Sequence, residues 1–151
     1  ADKDSRKNLI SSIFMNGPLM SEHNIKLQEK YKKIEEEITD HEEFFTEDAD
    51  YLLVAFGISS RICLTAAREL RKEGVKIGLL RPKTLFPYPS ARLAELSNKL
   101  KKIMVLELNN GQMAVDVELA TKSRLPILKY NWYGGMVPSI AEVIESIKKD
   151  I

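Results

Sequence analysis

The residues best suited to chemistry gather in E-L-N-N-G-Q, residues 107–112. This stretch follows an apolar run and precedes a helical pattern. A buried strand that breaks into polar residues before a helix is where α/β proteins commonly keep a site. A buried Glu107 has the chemistry of a general base, but no partner nucleophile stands at readable spacing. The competing use of such a carboxylate is to accept backbone or amide hydrogen bonds that fix the next turn, and that structural role is the expectation here. Asn109, Gly111 and Gln112 would build the turn, with Gly111 reversing the chain at no steric cost.

A second candidate is G-I-S-S, residues 57–60, where a strand turns into a helix. Free N–H groups and the helix dipole at such a turn can hold an anion, with Ser59 and Ser60 supplying hydroxyls. The glycine spacing of dinucleotide and phosphate-loop fingerprints is missing, so simple capping by Ser59 or Ser60 is the stronger reading. His23 and His41 stand in a charged segment without ligand spacing. Cys63 is the single cysteine, which removes internal disulfides and thiolate-held clusters; it falls on an apolar helix face and reads as packing.

These residues need elements to position them. Residues 1–20 show no clean periodicity, with Ile10, Ile13, Phe14, Leu19 and Met20 scattered around an Asn16-Gly17-Pro18 turn signal. From Ser21, a plausible N-cap, apolar residues recur at helical spacing (Ile25, Leu27, Tyr31, Ile34, Ile38, Phe45), predicting an amphipathic helix over about 21–43. Its stripe needs cover, on its own domain or on another chain, because a lone helix of this length is marginal in water. Residues 46–50 read as a polar hinge. The expected organisation is therefore an arm over 1–50 and a domain over 51–151.

Within 51–151, apolar strands near 51–56, 75–80, 103–108 and 127–130 alternate with four helical patterns. Gly74 ends the first of these helices, and Ser139 and Glu142 give the last a capping box. Near-continuous apolar strands alternating with helices predict a three-layer α/β/α fold, with a mainly parallel sheet of about four to five strands. Parallel strands point the same way, so Gly57, the connection 81–89 with Arg81 and Thr84, Glu107 to Gln112, and the Tyr133-Gly134-Gly135 turn emerge on one edge. Glu107 is expected there beside Arg81 and the Gly57 turn, compensated by Arg81 or by N–H groups of residues 109–112. On that reading Glu107→Gln costs little.

The balance of 23 basic and 22 acidic residues gives a net charge of +1, without the basic excess a nucleic-acid partner requires. No apolar run approaches the roughly 20 residues that span a membrane, and no signal-peptide pattern opens the chain, which fits a cytoplasmic protein. A first residue that is Ala1 rather than methionine fits a piece of something longer.

Three segments occur in order: R-P-K-T-L-F-P-Y-P (81–89), E-L-N-N-G-Q (107–112) and Y-G-G-M-V-P-S (133–139). Together they resemble the C-terminal domain of the α-type subunit of 2-oxoacid:ferredoxin oxidoreductases, a domain related to the transketolase C-terminal domain. The segment E-H-N-I-K-L-Q-E-K-Y (22–31) resembles the connecting arm of the 2-oxoisovalerate group of that family. Asn110 departs from the pattern, which has an apolar residue there.

The resemblance implies a complete enzyme that converts a 2-oxoacid to an acyl-CoA and passes electrons through iron–sulfur clusters to ferredoxin. Thiamine diphosphate, Mg²⁺ and the iron–sulfur cluster would sit elsewhere, in an upstream pyrimidine-binding domain of the same subunit and in partner subunits. The part left to this chain is assembly, with a share in binding coenzyme A or a partner subunit, no catalytic residue and no activity alone. Two alternatives stand beside it: the equivalent domain of another thiamine-dependent dehydrogenase or transketolase, and a stand-alone flavodoxin-like module holding an anion at Ser59 and Ser60.

Overall fold

The structure, a computed structural model, describes residues 13–151; Ile10 and its neighbours lie outside the described residues. The chain forms two compact units, Ala1–Glu37 and Ile38–Ile151. The first carries most of helix α1 (Gly17–Ile38), which starts four residues before Ser21. Asn16, not Ser21, opens it: Asn16 Oδ1 accepts from the Leu19 N–H at 3.1 Å. The ring of His23 stacks on Phe14 at 4.4 Å. None of the residues of α1 is buried.

The second unit runs β1 (His41–Phe44), β2 (Tyr51–Val54), α2 (Gly57–Lys72), β3 (Ile77–Pro82), α3 (Ser90–Ser97), β4 (Lys102–Glu107), α4 (Gln112–Thr121), β5 (Ile127–Asn131) and α5 (Ile140–Asp150). The five strands form one sheet in the order β1-β3-β2-β4-β5. Neighbours among β2 to β5 are parallel, while β1 runs antiparallel to β3 with His41 opposite Pro82.

Strand alternation sorts the core onto two faces. Leu53, Ala55, Met104 and Leu106 point to the layer of α2 and α5, where Cys63, Ala66, Leu70, Val143 and Ile147 close over them. Leu52, Val54, Ile103 and Val105 point to α3 and α4, against Leu93, Leu96, Met113 and Val117. Each fully buried Leu or Ile contributes about 1.5–3 kcal/mol relative to exposure. The three-layer α/β/α architecture expected from the sequence is the one found.

The expected helix over 21–43 is corrected: it ends at Ile38, and residues 41–44 are an edge strand. The reason is non-local. Arg81 Nη1 donates to Glu42 Oε2 at 2.7 Å, and the same guanidinium lies over the Phe44 ring at 5.1 Å. Glu43 accepts from Arg92 Nε at 2.5 Å and from Thr46 Oγ1 at 2.6 Å. Charges that read as a solvated helical back are the ties of a strand. The expected hinge over 46–50 is a packed turn, with Thr46 and Ala49 buried.

Phe45 takes φ +57°, a conformation that bulky residues rarely adopt. Its carbonyl oxygen comes so close to Gly78 that an added Cβ would sit 2.8 Å away. Gly78→Ala therefore should destabilise the domain by about 1–3 kcal/mol, read as a lowered midpoint in denaturant. Arg92, then the Thr46 and His41 bonds, hold the Glu43 carboxyl at about 2 against an ordinary 4.5. Its stabilisation is thus present above pH 4.5 and lost as pH falls toward 2. Glu43→Gln should cost on the order of 1 kcal/mol at pH 7, allowing for solvent screening, with the difference from wild type vanishing near pH 2 in acid titrations.

Candidate functional site

Helix α4 begins with a problem of its own composition. Its N-cap is Gly111, at φ +92°, which has no side chain to receive the first free N–H groups. Two side chains from the end of β4 receive them instead. Asn109 Oδ1 accepts from the N–H of Gly111 at 2.8 Å and of Gln112 at 3.1 Å. Glu107, only 1% exposed, accepts from Met113 N–H at 2.8 Å through one oxygen and from Ala114 N–H at 3.0 Å through the other. Asn109 Nδ2 adds a third contact at 3.2 Å.

The buried carboxylate therefore faces the positive end of α4, in the manner of a helix cap supplied from the strand. The turn is locked from β5 as well. Asn131 Nδ2 donates to Asn109 O at 2.6 Å. Asn110 is exposed, so a polar residue there meets only solvent.

The sequence placed Arg81 beside Glu107, and the structure corrects this. Arg81 belongs to the β1 side, bound to Glu42, and its Nε is buried without a hydrogen-bond partner. The compensating N–H groups are those of residues 113 and 114, inside the helix, rather than 109–112. Thr84 is tied to the approach to β1: its Oγ1 accepts from Asp40 N–H at 3.1 Å and its own N–H donates to Asp40 O at 3.2 Å. The single expected cluster is thus two, one at β1/β3 and one at β4/β5.

Beyond the carboxyl ends of β2 and β3 an open cleft of about 590 Å³ is lined by Phe56, Gly57, Ile58, Ser60, Arg61 and Arg81 among others. Gly57 is the first residue of α2, at φ +58°, and Phe56 is its N-cap. Neither serine caps the helix, which corrects the expected capping role. Both are buried in the first turn, and Ser60 Oγ donates back to Gly57 O at 2.7 Å, the bond of a helix-interior serine. Gly134 and Gly135 both take positive φ in the exposed turn after β5.

Residues not singled out from sequence complete the picture. The hydroxyl of Tyr88 is buried with no hydrogen-bond partner. Burial pushes its phenol well above the ordinary range, with the carboxylates of Asp116 and Glu107 adding to the effect. Burial, and then Glu107, also raises the Asp116 carboxyl. Nothing in the local sequence announces Asn131, whose partner lies 22 residues away, or the burial of the Tyr88 hydroxyl.

The donor set does not suit a resident metal or cluster. Among the described residues no group of three or more His, Cys, Asp or Glu is placed to hold a metal ion. Burial pushes the Cys63 thiol up to about 12, so it offers no thiolate. Among the described residues no helix is long and apolar enough to cross a membrane.

A mainly parallel five-stranded sheet with one antiparallel edge strand, covered by helices on both faces, is a fold shared with transketolase-type structures. The chain matches a split-gene transketolase, an inactive β4 tetramer, with TM-score 0.61 and 19% identity over 73% of this chain and 40% of that one. It matches the 2-oxoglutarate:ferredoxin oxidoreductase of Magnetococcus marinus with TM-score 0.79 and 22% identity, over 90% of this chain and 24% of that one. Residues 49–143 match the model of pyruvate:ferredoxin oxidoreductase core domain II, and the chain belongs to that family.

Among curated relatives, the ketoisovalerate oxidoreductase subunit VorB of Methanothermobacter thermautotrophicus is 39% identical over 98% of this chain. The 2-oxoglutarate synthase subunit KorA of Methanothermobacter marburgensis is 28% identical over 81%. The chain spans 42% of the length of the first and 32% of the second.

Because both Glu107 oxygens accept backbone N–H groups, the expected tolerance of Glu107→Gln is revised. An amide can accept with one oxygen only and sets its NH₂ against the other donor. Glu107→Gln should cost about 1 kcal/mol or more, and Glu107→Ala about 1–3 kcal/mol, measured by thermal or denaturant unfolding.

Proposed function

We propose that this chain is the C-terminal core domain of the α-type subunit of a 2-oxoacid:ferredoxin oxidoreductase, of the 2-oxoisovalerate group. The observation that carries the reading is the 39% identity to VorB over 98% of the chain, which takes in the arm as well as the α/β unit. The KorA likeness is lower and covers less of the chain. The alternative of another thiamine-dependent enzyme draws on the transketolase-like fold alone.

On this reading the complete complex oxidises a 2-oxoacid to an acyl-CoA. Thiamine diphosphate with Mg²⁺ and the iron–sulfur cluster are held by an upstream pyrimidine-binding domain and by partner subunits, and ferredoxin receives the electrons. The Magnetococcus relative carries coenzyme A in its structure, which supports coenzyme A as the acyl acceptor of the complex. This chain's residues bind no reacting atom. Glu107, Asn109, Gly111 and Gln112 hold the start of α4, Arg81 and Thr84 hold β1 to β3, and Gly57, Gly134 and Gly135 shape the turns of the same edge. Their role is to present a rigid surface to the rest of the enzyme. The half-exposed stripe of α1 would find its cover there too.

The test is the complex assembled with the full-length subunit, assayed for coenzyme A-dependent viologen reduction. 2-Oxoisovalerate should exceed pyruvate in kcat/KM by at least about tenfold, the discrimination that pocket contacts to one or two methylenes provide, and should exceed 2-oxoglutarate as well, whose second carboxylate would be desolvated in an apolar pocket. Preference for pyruvate or 2-oxoglutarate would move the chain to another group. Absence of any 2-oxoacid-dependent turnover would remove it from these enzymes.

A further inference from the structure

The cleft beyond β2 and β3 is lined by charge of one sign. Arg61, Arg81 and Lys83 all border it, and no carboxylate does. Lys83 is held by Asp40 and Glu42. Arg81 is held by Glu42 through Nη1, while its Nε has no partner. Arg61 is exposed, and among the described residues no carboxylate pairs with it. Its charge is therefore uncompensated at the mouth of a cleft of about 590 Å³.

The backbone adds to the same field. Glu107 and Asn109 take the first N–H groups of α4, and Ser139 with Glu142 finishes the start of α5. Helix α2 has neither a side-chain cap nor an acidic residue in its first turn. Ser60 Oγ is turned back onto Gly57 O, and an added Cβ on Gly57 would meet nothing within 4 Å. Gly57 and Ile58 are exposed and line the cleft, so the positive end of α2 opens there. Arg61, at the start of the second turn, is repelled by that end, and a bound anion relieves both charges. The walls are of another kind. Phe56, Pro82, Ile58 and Leu85 are apolar, the last two 53% and 48% exposed. An inorganic ion would leave these walls uncovered, whereas a ligand with an apolar body covers them.

We propose that this cleft binds a small organic phosphate. The phosphate sits on the first N–H groups of α2 and the Arg61 guanidinium, in the field of Arg81, and the apolar body lies on Ile58 and Leu85. Phosphate suits the site because its several oxygens accept from a planar guanidinium and from helix N–H groups together. The inference goes beyond the reading of this chain as a domain that presents a surface, and it stands on the cleft alone.

The experiment uses the full-length subunit in its complex, saturated with thiamine diphosphate and coenzyme A so that their own sites are filled. Hydrogen exchange of residues 57–61 is followed with and without phenyl phosphate, whose Kd is measured by calorimetry. At about ten times that Kd the segment should exchange about tenfold more slowly, because the free fraction falls to roughly one-eleventh. The amides of Met113 and Ala114, already held by Glu107, should not change. Arg61→Gln should raise the Kd at least about tenfold through the lost charge-assisted bond. Its melting temperature should stay within about a degree of wild type, as for a surface substitution. Leu85→Ser should weaken phenyl phosphate and leave inorganic phosphate as before. Unchanged exchange at 57–61, or an unchanged Kd in Arg61→Gln, would overturn the proposal. So would benzoate binding as tightly as phenyl phosphate, since the site would then take carboxylates. If Arg61→Gln melts early, the exchange comparison on the unsubstituted protein decides. A complex that binds phenyl phosphate in this cleft but oxidises no 2-oxoacid would refute the functional reading and leave the site standing.

Discussion

The β4–α4 junction depends on one buried carboxylate meeting the free end of a helix. Glu107 leaves β4 in the sheet interior, where an uncompensated charge is prohibitive. Its two oxygens take the N–H groups of Met113 and Ala114, which Gly111 cannot satisfy. Gly111 is needed in turn because the chain reverses there with positive φ, which a side chain would strain. Strand, glycine, carboxylate and helix start are thus one mutually dependent unit. It explains why the most chemically promising residue of the sequence is fully occupied by structure.

That arrangement suits a domain whose contribution is shape. The carboxyl edge of an open α/β sheet is the usual place for a ligand, and here much of its polar inventory is engaged within the chain. Arg81 is spent on Glu42, Thr84 on Asp40, Ser60 on Gly57, and Asn109 on the α4 turn. The family is shown by the match over residues 49–143. The fold it shares with transketolase-type structures does not by itself assign chemistry to it, since function is carried by sites rather than folds.

The fold was legible wherever burial wrote itself into local pattern. The continuous runs at Leu52 to Ala55 and Ile103 to Leu106 could only be interior strands, and Ser139 with Glu142 gave the start of α5 to the residue. Legibility failed where partners are distant in sequence. His41-Glu-Glu-Phe44 continues a helical spacing, and pairing with β3, with Arg81 and Arg92 holding Glu42 and Glu43 from about 40 to 50 residues away, makes it a strand. The site shows the same divide. The carboxylate capping its own next helix was within reach of a sequence argument, because donor and acceptor lie six and seven residues apart. The Asn131 lock and the unpartnered Tyr88 hydroxyl were not, because they arise from strand order.

The claim that Glu107 works by holding α4 is tested most directly at the two amides it holds. Hydrogen exchange at Met113 and Ala114, followed residue by residue in wild type and Glu107→Ala, can be set beside turnover per assembled complex. The account predicts strong protection in wild type, protection lost at those two amides in the variant, and turnover per assembled complex within a few-fold of wild type. Protection unchanged at Met113 and Ala114, together with turnover reduced by orders of magnitude, would contradict it and make Glu107 a catalytic residue.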